Sequence, residues 1–303
     1  MSKDSARLTR RDFMKGVGSA ALGVAAGLPS LACGESETQS LRPARSKVVL
    51  IRNENVVTAD GTMNGELVQQ MLDDAVVTLI GRESPLECWQ EIIKPDDIVG
   101  IKTNIVYYLP TPQEVNEAIH SRVRQAGVPD ESIAMGDRGI FRDEGFQRAT
   151  ALVNTRPMRT HAWSGVGSLI KNYITFVPRP SDYHYDACAD LATLWDLPIT
   201  RGKTRLNVLV MLTPQFHNVG PHHFDPIYVW PYGGLIVSTD PVAADSVGLS
   251  IIQAKRQLAF GEDRPLQPTA HHIALADTVH HLGNADPSKI DLVKLGWDGD
   301  ILI

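Results

Sequence analysis

Short apolar runs alternate with amphipathic, capped segments along most of this chain, and that alternation restricts it to few architectures. Lys47–Arg52 reads KVVLIR, a run apolar enough to be a strand covered on both faces. From Asn64 to Ile80, the residues Val68, Leu72, Ala75, Val76 and Leu79 share one helical face, and Gly81 stops the helix. Ser84-Pro85-Leu86-Glu87 reads as a capping box with proline in the first turn, opening a short helix to about Ile93. A strand is expected over Ile98–Lys102. Thr111-Pro112-Gln113-Glu114 reads as a second capping box opening a helix to near Gly127, and Ser132–Met135 as a short strand.

The second half continues the pattern. Ala187–Leu197 reads as helix, Leu206–Leu212 as a central strand and Leu235–Ser238 as a strand leading into Asp240-Pro241, an N-cap and first-turn pair. That helix runs to about Gln257, another spans Ala270–Leu282, and Ile290–Leu295 closes the chain as a strand. The expected fold class is α/β, a mostly parallel sheet covered by helices, in two sub-domains (47–160 and 161–303) with a cleft between them. Ligands in such folds sit at the carboxyl ends of strands. Asn104, Asp137 and Arg138 each follow a predicted strand closely, so they are expected to line one crevice.

The first 33 residues read as a leader. Thr9-Arg10-Arg11-Asp12-Phe13-Met14-Lys15 has the pattern of a twin-arginine export signal, and a Gly/Ala-rich apolar stretch follows from Gly16 to Leu31. This stretch is too interrupted by Gly and Pro for a spanning helix. Such a signal implies the twin-arginine export machinery as a partner and the periplasm or cell envelope as the destination. Ser30-Leu31-Ala32-Cys33 suits cleavage before Cys33, with a lipid on Cys33 as the expected membrane attachment. Residues 34–46 read as a polar linker.

The whole chain carries a formal charge of -6; the leader carries +3, which leaves the rest near -9. Nucleic acid is therefore excluded as a partner, since phosphate neutralisation needs a basic face. Apart from Cys33, only Cys88 and Cys188 are present. They are read as two buried thiols, and no iron–sulfur cluster is expected.

Two segments carry candidate chemistry. His217-Asn218-Val219-Gly220-Pro221-His222-His223-Phe224-Asp225 follows the central strand, and His217, His222, His223 and Asp225 are candidate ligands for a divalent metal. Lys171 lies among Ile170, Ile174 and Phe176, where desolvation would lower its pKa and make it a nucleophile, base or covalent anchor. Arg179 is a candidate anion ligand and His184 a ligand or acid/base group. His271, His272, His280 and His281 read as a solvated helix face.

Several segments together resemble a bacterial family catalogued as domain of unknown function three-six-two. They are the stretch from Lys94 to Asn104, Gly136-Asp137, Ile170-Lys171-Asn172, His184, Gly220-Pro221, the stretch from Ser238 to Asp245, and Asp286-Pro287-Ser288-Lys289-Ile290. The resemblance implies a fold and a site map but no reaction. Pro110-Thr111-Pro112, with Lys171 and His184, is similar to the nickel-pincer lactate racemases. That likeness implies a nickel–pyridine cofactor held on the lysine and completed by the histidine; Tyr107-Tyr108-Leu109 replaces the acidic and arginine residues that normally precede the Thr-Pro element. The reading these observations support is a metal- or cofactor-dependent enzyme acting on a small, anionic molecule. The competing class is a non-catalytic envelope lipoprotein that binds a ligand or serves a redox partner.

Overall fold

The computed structural model describes residues 44–220, 223–262 and 264–303. The twin-arginine signal, Cys33, most of the linker and His222 lie outside the described residues. Strand β1 (Ser46–Arg52) leads to helix α1 (Gly65–Ile80), which starts where Asn64 accepts from the Leu67 amide and stops at left-handed Gly81. Helix α2 (Pro85–Ile92) begins with the expected capping box, both of whose hydrogen bonds form. Strand β2 (Val99–Lys102), α3 (Gln113–Gln125), β3 (Ile133–Gly136) and α4 (Glu144–Arg148) follow. Next come β4 (Ala151–His161), β5 (Gly165–Gly167), the single-turn α5 (Leu169–Asn172) and a long β6 (Thr204–Gly220). Strand β7 (Gly234–Ser238), α6 (Pro241–Phe260), α7 (His271–Thr278) and β8 (Ile290–Gly296) complete the described elements.

The strands form one mixed, mostly parallel sheet in the order β3-β2-β4-β6-β7-β1-β8, with β5 paired to the far end of β4. β7 is antiparallel to both its neighbours. Alternate strand residues go to opposite faces. Val49, Ile51, Ile101, Val153 and Val208 pack with α1, α2 and α3, whereas Val48, Leu50, Leu152, Leu209 and Ile236 pack with α5, α6 and α7. Two cores on one sheet explain why the strands read as continuous apolar runs. The halves 47–160 and 161–303 both contribute strands to this sheet, and β4 pairs with β6 along most of its length. The cleft accordingly forms at the ends of strands within one sheet rather than between two separate sheets.

Other expectations change for local reasons. Thr111 does not cap α3; its hydroxyl accepts from the Asn104 amide at 3.2 Å, and Pro112 occupies the cap position without a side-chain bond. That exchange closes the loop 104–111. His217 and Asn218 belong to β6 rather than to a loop beyond it. The segment Asp186–Asp196 is 3-10 helix, and Asp186, Ala187 and Cys188 all have positive φ (45°, 48° and 66°). Helix α7 ends at Thr278, and His272 within it is fully buried instead of solvated.

Candidate functional site

The chain reverses its winding beside β2 and β4, and their carboxyl ends open into a cavity of about 440 Å³. Asn104, Asp137, Arg138, Lys171 and His184, all singled out from the sequence, line it. So do Arg156, Arg159, His161 and Asn172, which the sequence reading passed over.

Asn172 ties the floor together. Its Nδ2 donates to Asn154 Oδ1 (2.8 Å), Thr155 O (3.0 Å) and Lys102 O (3.2 Å), and its Oδ1 accepts from Lys102 Nζ (3.0 Å). Lys102, wholly buried, also donates to Asp137 Oδ1 at 2.7 Å. Burial lowers the Lys102 ammonium to about 8 against the pull of Asp137. Burial raises the Asp137 carboxyl, but Lys102, the Ile105 amide and Arg156 outweigh that and hold it below the ordinary carboxylate value. Asp137 is therefore ionised and already partnered, which suits it to positioning rather than proton transfer.

Lys171 sits on α5, and α5 is anchored from α6. Asp245 accepts from Ser168 Oγ (2.6 Å) and from the Leu169 and Ile170 amides (both 2.9 Å). Burial raises the Asp245 carboxyl to about 7, although these bonds oppose it. Lys171 is only 2% exposed, and Nζ donates to Cys188 Sγ at 3.3 Å. Burial lowers its amine to about 8, with Arg156 and Arg159 adding to the effect and Cys188 opposing it. The strained backbone at 186–188 delivers Cys188 to this contact, and His271 Nε2 meets Asp186 O at 2.7 Å to hold it. His184 stacks on Trp163 with centroids 4.2 Å apart, and burial followed by Lys171 lowers its imidazole to about 4. His161 is driven well below its ordinary value by burial, then by Lys171, Arg156 and Arg159. Both rings are neutral at physiological pH.

The two arginines lie three apart on β4. Residues so spaced in a regular strand face opposite sides. Here the register against β6 shifts between Pro157 and Arg159, and both guanidiniums reach the same cavity. Arg159 donates to Leu109 O and Asn104 Oδ1, each at 3.2 Å, while its Nε has no partner. Arg156 is 4% exposed and makes no hydrogen bond or ion pair with a described residue. Burial lowers it to about 9, helped by Arg159, which leaves it charged at neutral pH. Its guanidinium packs against position 167, where an added Cβ would come within 2.6 Å of Nη2.

The other candidates lie elsewhere. Arg179 is at the surface, paired with Asp182 at 3.1 Å. His217 lines a separate cavity of about 270 Å³ with Thr160, Asn218 and Arg256. Its Nδ1 is 2.9 Å from Arg256 Nη1, and burial followed by Arg256 and Arg264 lowers its pKa. His223 is exposed, and Asp225 caps the turn Pro226–Tyr228 by accepting from the Ile227 amide at 3.1 Å. Among the described residues, no group of three or more His, Cys, Asp or Glu side chains is placed to hold a metal ion. Within the histidine segment, the Phe224 ring lies 4.8 Å from that of Tyr108, which lines the main cavity. Cys88 and Cys188 are both free and buried. No helix among the described residues is long and apolar enough to cross a membrane.

These features define an α/β protein with a buried cationic cleft at the carboxyl ends of its strands. Residues 140–250 match the model of the family described as Domain of unknown function (DUF362), and this span carries Arg156, Arg159, Lys171, Asn172, His184 and Asp245. Comparison with curated proteins and with solved structures gives no match.

Proposed function

We propose that the cleft binds a small organic anion and that the protein is an enzyme acting on it, with Lys171 as the proton acceptor. The observation that carries this reading is Arg156: a buried guanidinium with no hydrogen-bond partner among the described residues, facing a cavity. An uncompensated buried charge is costly, and an anion in the cavity would supply the missing hydrogen bonds bidentately. Arg159 and Lys171 add positive charge, while Asp137, the one carboxylate among the described lining residues, is held by Lys102. Exposed Arg138 at the rim would draw anions inward.

An amine lowered to about 8 exists partly as the free base at neutral pH. It would take a proton from the bound anion, and the electron pair left on the substrate would be stabilised by Arg156 and Arg159. His161 and His184, neutral beside it, can pass protons onward. A bound cation does not fit this cleft, since its walls carry Arg156, Arg159 and Lys171, so no step is routed through a metal or a nickel–pyridine group. The twin-arginine pattern supports an envelope location for the activity, which fractionation and the mass of the processed amino terminus would test.

The test is equilibrium binding of small carboxylates, followed by NMR of the bound carboxylate in D2O. Deuterium entering the carbon beside the carboxylate, and lost in Lys171→Met, supports the enzyme. Binding without exchange, abolished by Arg156→Gln, means a non-catalytic ligand-binding protein.

A further inference from the structure

Of the cationic side chains lining the cleft, Arg156 and Arg159 come from β4, Lys171 from α5 and Arg138 from the turn after β3, but much of its wall comes from other segments and has a different character. Tyr107 and Tyr108 belong to the loop closed by Asn104 and Thr111. Phe141 comes from the turn Ile140–Arg142, and Ile174 and Val177 from the stretch after α5. These side chains are apolar or aromatic, and the cavity they share with the arginines is large. At about 440 Å³ it equals the liquid volume of about fifteen waters, several times what a bare oxyanion fills, and it falls in the range of organic ligand sites. Tyr107 is 86% exposed at the cavity rim. An aromatic residue left in water at the mouth of a cleft extends its apolar wall outward.

We infer that the ligand is an organic anion of two parts: an oxyanion head seated between Arg156 and Arg159, and an apolar or aromatic body lying against Tyr108, Phe141, Ile174 and Val177. This rests on the anion-site reading and deepens it by naming the substrate class. The head alone would leave the apolar wall facing trapped water, whereas an apolar body alone would leave Arg156 uncompensated. A carboxylate and a phosphate head both match a guanidinium pair, so both belong to the test.

The experiment is isothermal titration of the full chain with acetate, phenylacetate, 4-phenylbutyrate and phenylacetamide, with inorganic phosphate and phenyl phosphate as a second series. Phenylacetate is expected to bind on the order of tenfold or more tighter than acetate, as burial of the added apolar surface requires, and phenylacetamide not measurably. Phe141→Ala should remove most of the advantage of phenylacetate and leave acetate unchanged. Its melting temperature, taken alongside, confirms that the variant is folded. Val177→Ala serves the same purpose if Phe141→Ala does not fold. Equal affinities for acetate and phenylacetate, unaltered by either variant, overturn the two-part ligand while leaving the anion site intact. Equal binding of phenylacetate and phenylacetamide, or no binding of any anion in either series, overturns the anion site itself. A phenyl phosphate preference over phenylacetate, with the same response to Phe141→Ala, retains the two-part ligand and identifies its head as phosphate.

Discussion

Lys102 and Asp137 form an ion pair shut away from solvent, with Nζ 2.7 Å from Oδ1 and side chains 0% and 3% exposed. The pair joins β2 to the end of β3, and Asn172 joins Lys102 to β4. It sets the floor of the cleft, and the Asp137 charge favours the charged form of Arg156 without a hydrogen bond to it.

Removing one member of such a pair leaves the other buried and unpaired. Lys102→Met is expected to cost about 3–5 kcal/mol of stability, read from the midpoint of urea unfolding. A loss below about 1 kcal/mol would mean that Asp137 reaches water in the folded protein.

Lys171 should react as an amine well below the pH of an ordinary lysine. Its folded pKa of about 8 predicts that acylation by a small amine-reactive reagent rises with pH and reaches half its limit near that value. Mass spectrometry of the peptide containing Lys171 gives the midpoint. Cys188 raises this pKa, so Cys188→Ala should move the midpoint down. A midpoint near 10.5 would show a solvated lysine.

His272 has neither ring nitrogen bonded and is fully buried. Burial, then Lys171, His271 and Arg156, lowers it to about 3, against about 6.5 unfolded. The unfolded chain therefore binds the proton first, and the stability due to neutral His272 is complete above pH 6.5 and lost as pH falls toward 3. His272→Leu should flatten the fall in melting temperature across that window. The same slope in variant and parent would place the acid sensitivity in two other histidines with lowered pKa, His161 and His184.

Gly167 makes room for the Arg156 guanidinium. Gly167→Ala would push the flexible end of that side chain aside, because the added carbon would lie 2.6 Å from Nη2. Carboxylate affinity is expected to fall about tenfold or more, with a change in stability of about 1 kcal/mol or less, since the displaced group is a side-chain end. Calorimetry gives the first quantity and thermal unfolding the second. Unchanged affinity would show that Arg156 does not touch the anion.

The residues that carry the resemblance to the family have separable physical uses. Asp240 caps α6 through the Val242 and Ala243 amides and also accepts from Ser46 and the Asn284 amide. Asp245 anchors α5 and so places Lys171. Asn104, Asp137 and Lys171 were legible because each stands just after a strand or inside an apolar run, and His184 because it follows Lys171 in a short polar loop with Arg179. Arg156 and Arg159 were missed because ALVNTRPMRTH has no clean alternation and reads as neither strand nor helix. Two arginines within a run otherwise rich in apolar and β-branched residues were the signal available. The histidine cluster misled because adjacent histidines say nothing about where their rings point; His217 meets Arg256, and His223 is exposed.

Local chemistry was sufficient to determine the elements themselves: the capping box at Ser84, the stop at Gly81, the cap at Asp240 and the apolar strands of β1, β2 and β7. Each depends on neighbours within a few residues, which the chain order already contains. The cleft was decided only by tertiary structure. Its charge comes from β4, α5 and the turn after β3, and the alignment of Arg156 with Arg159 depends on an irregular register against β6. Which charges remain unpaired after such distant segments meet is a property of their packing, and no local pattern encodes it.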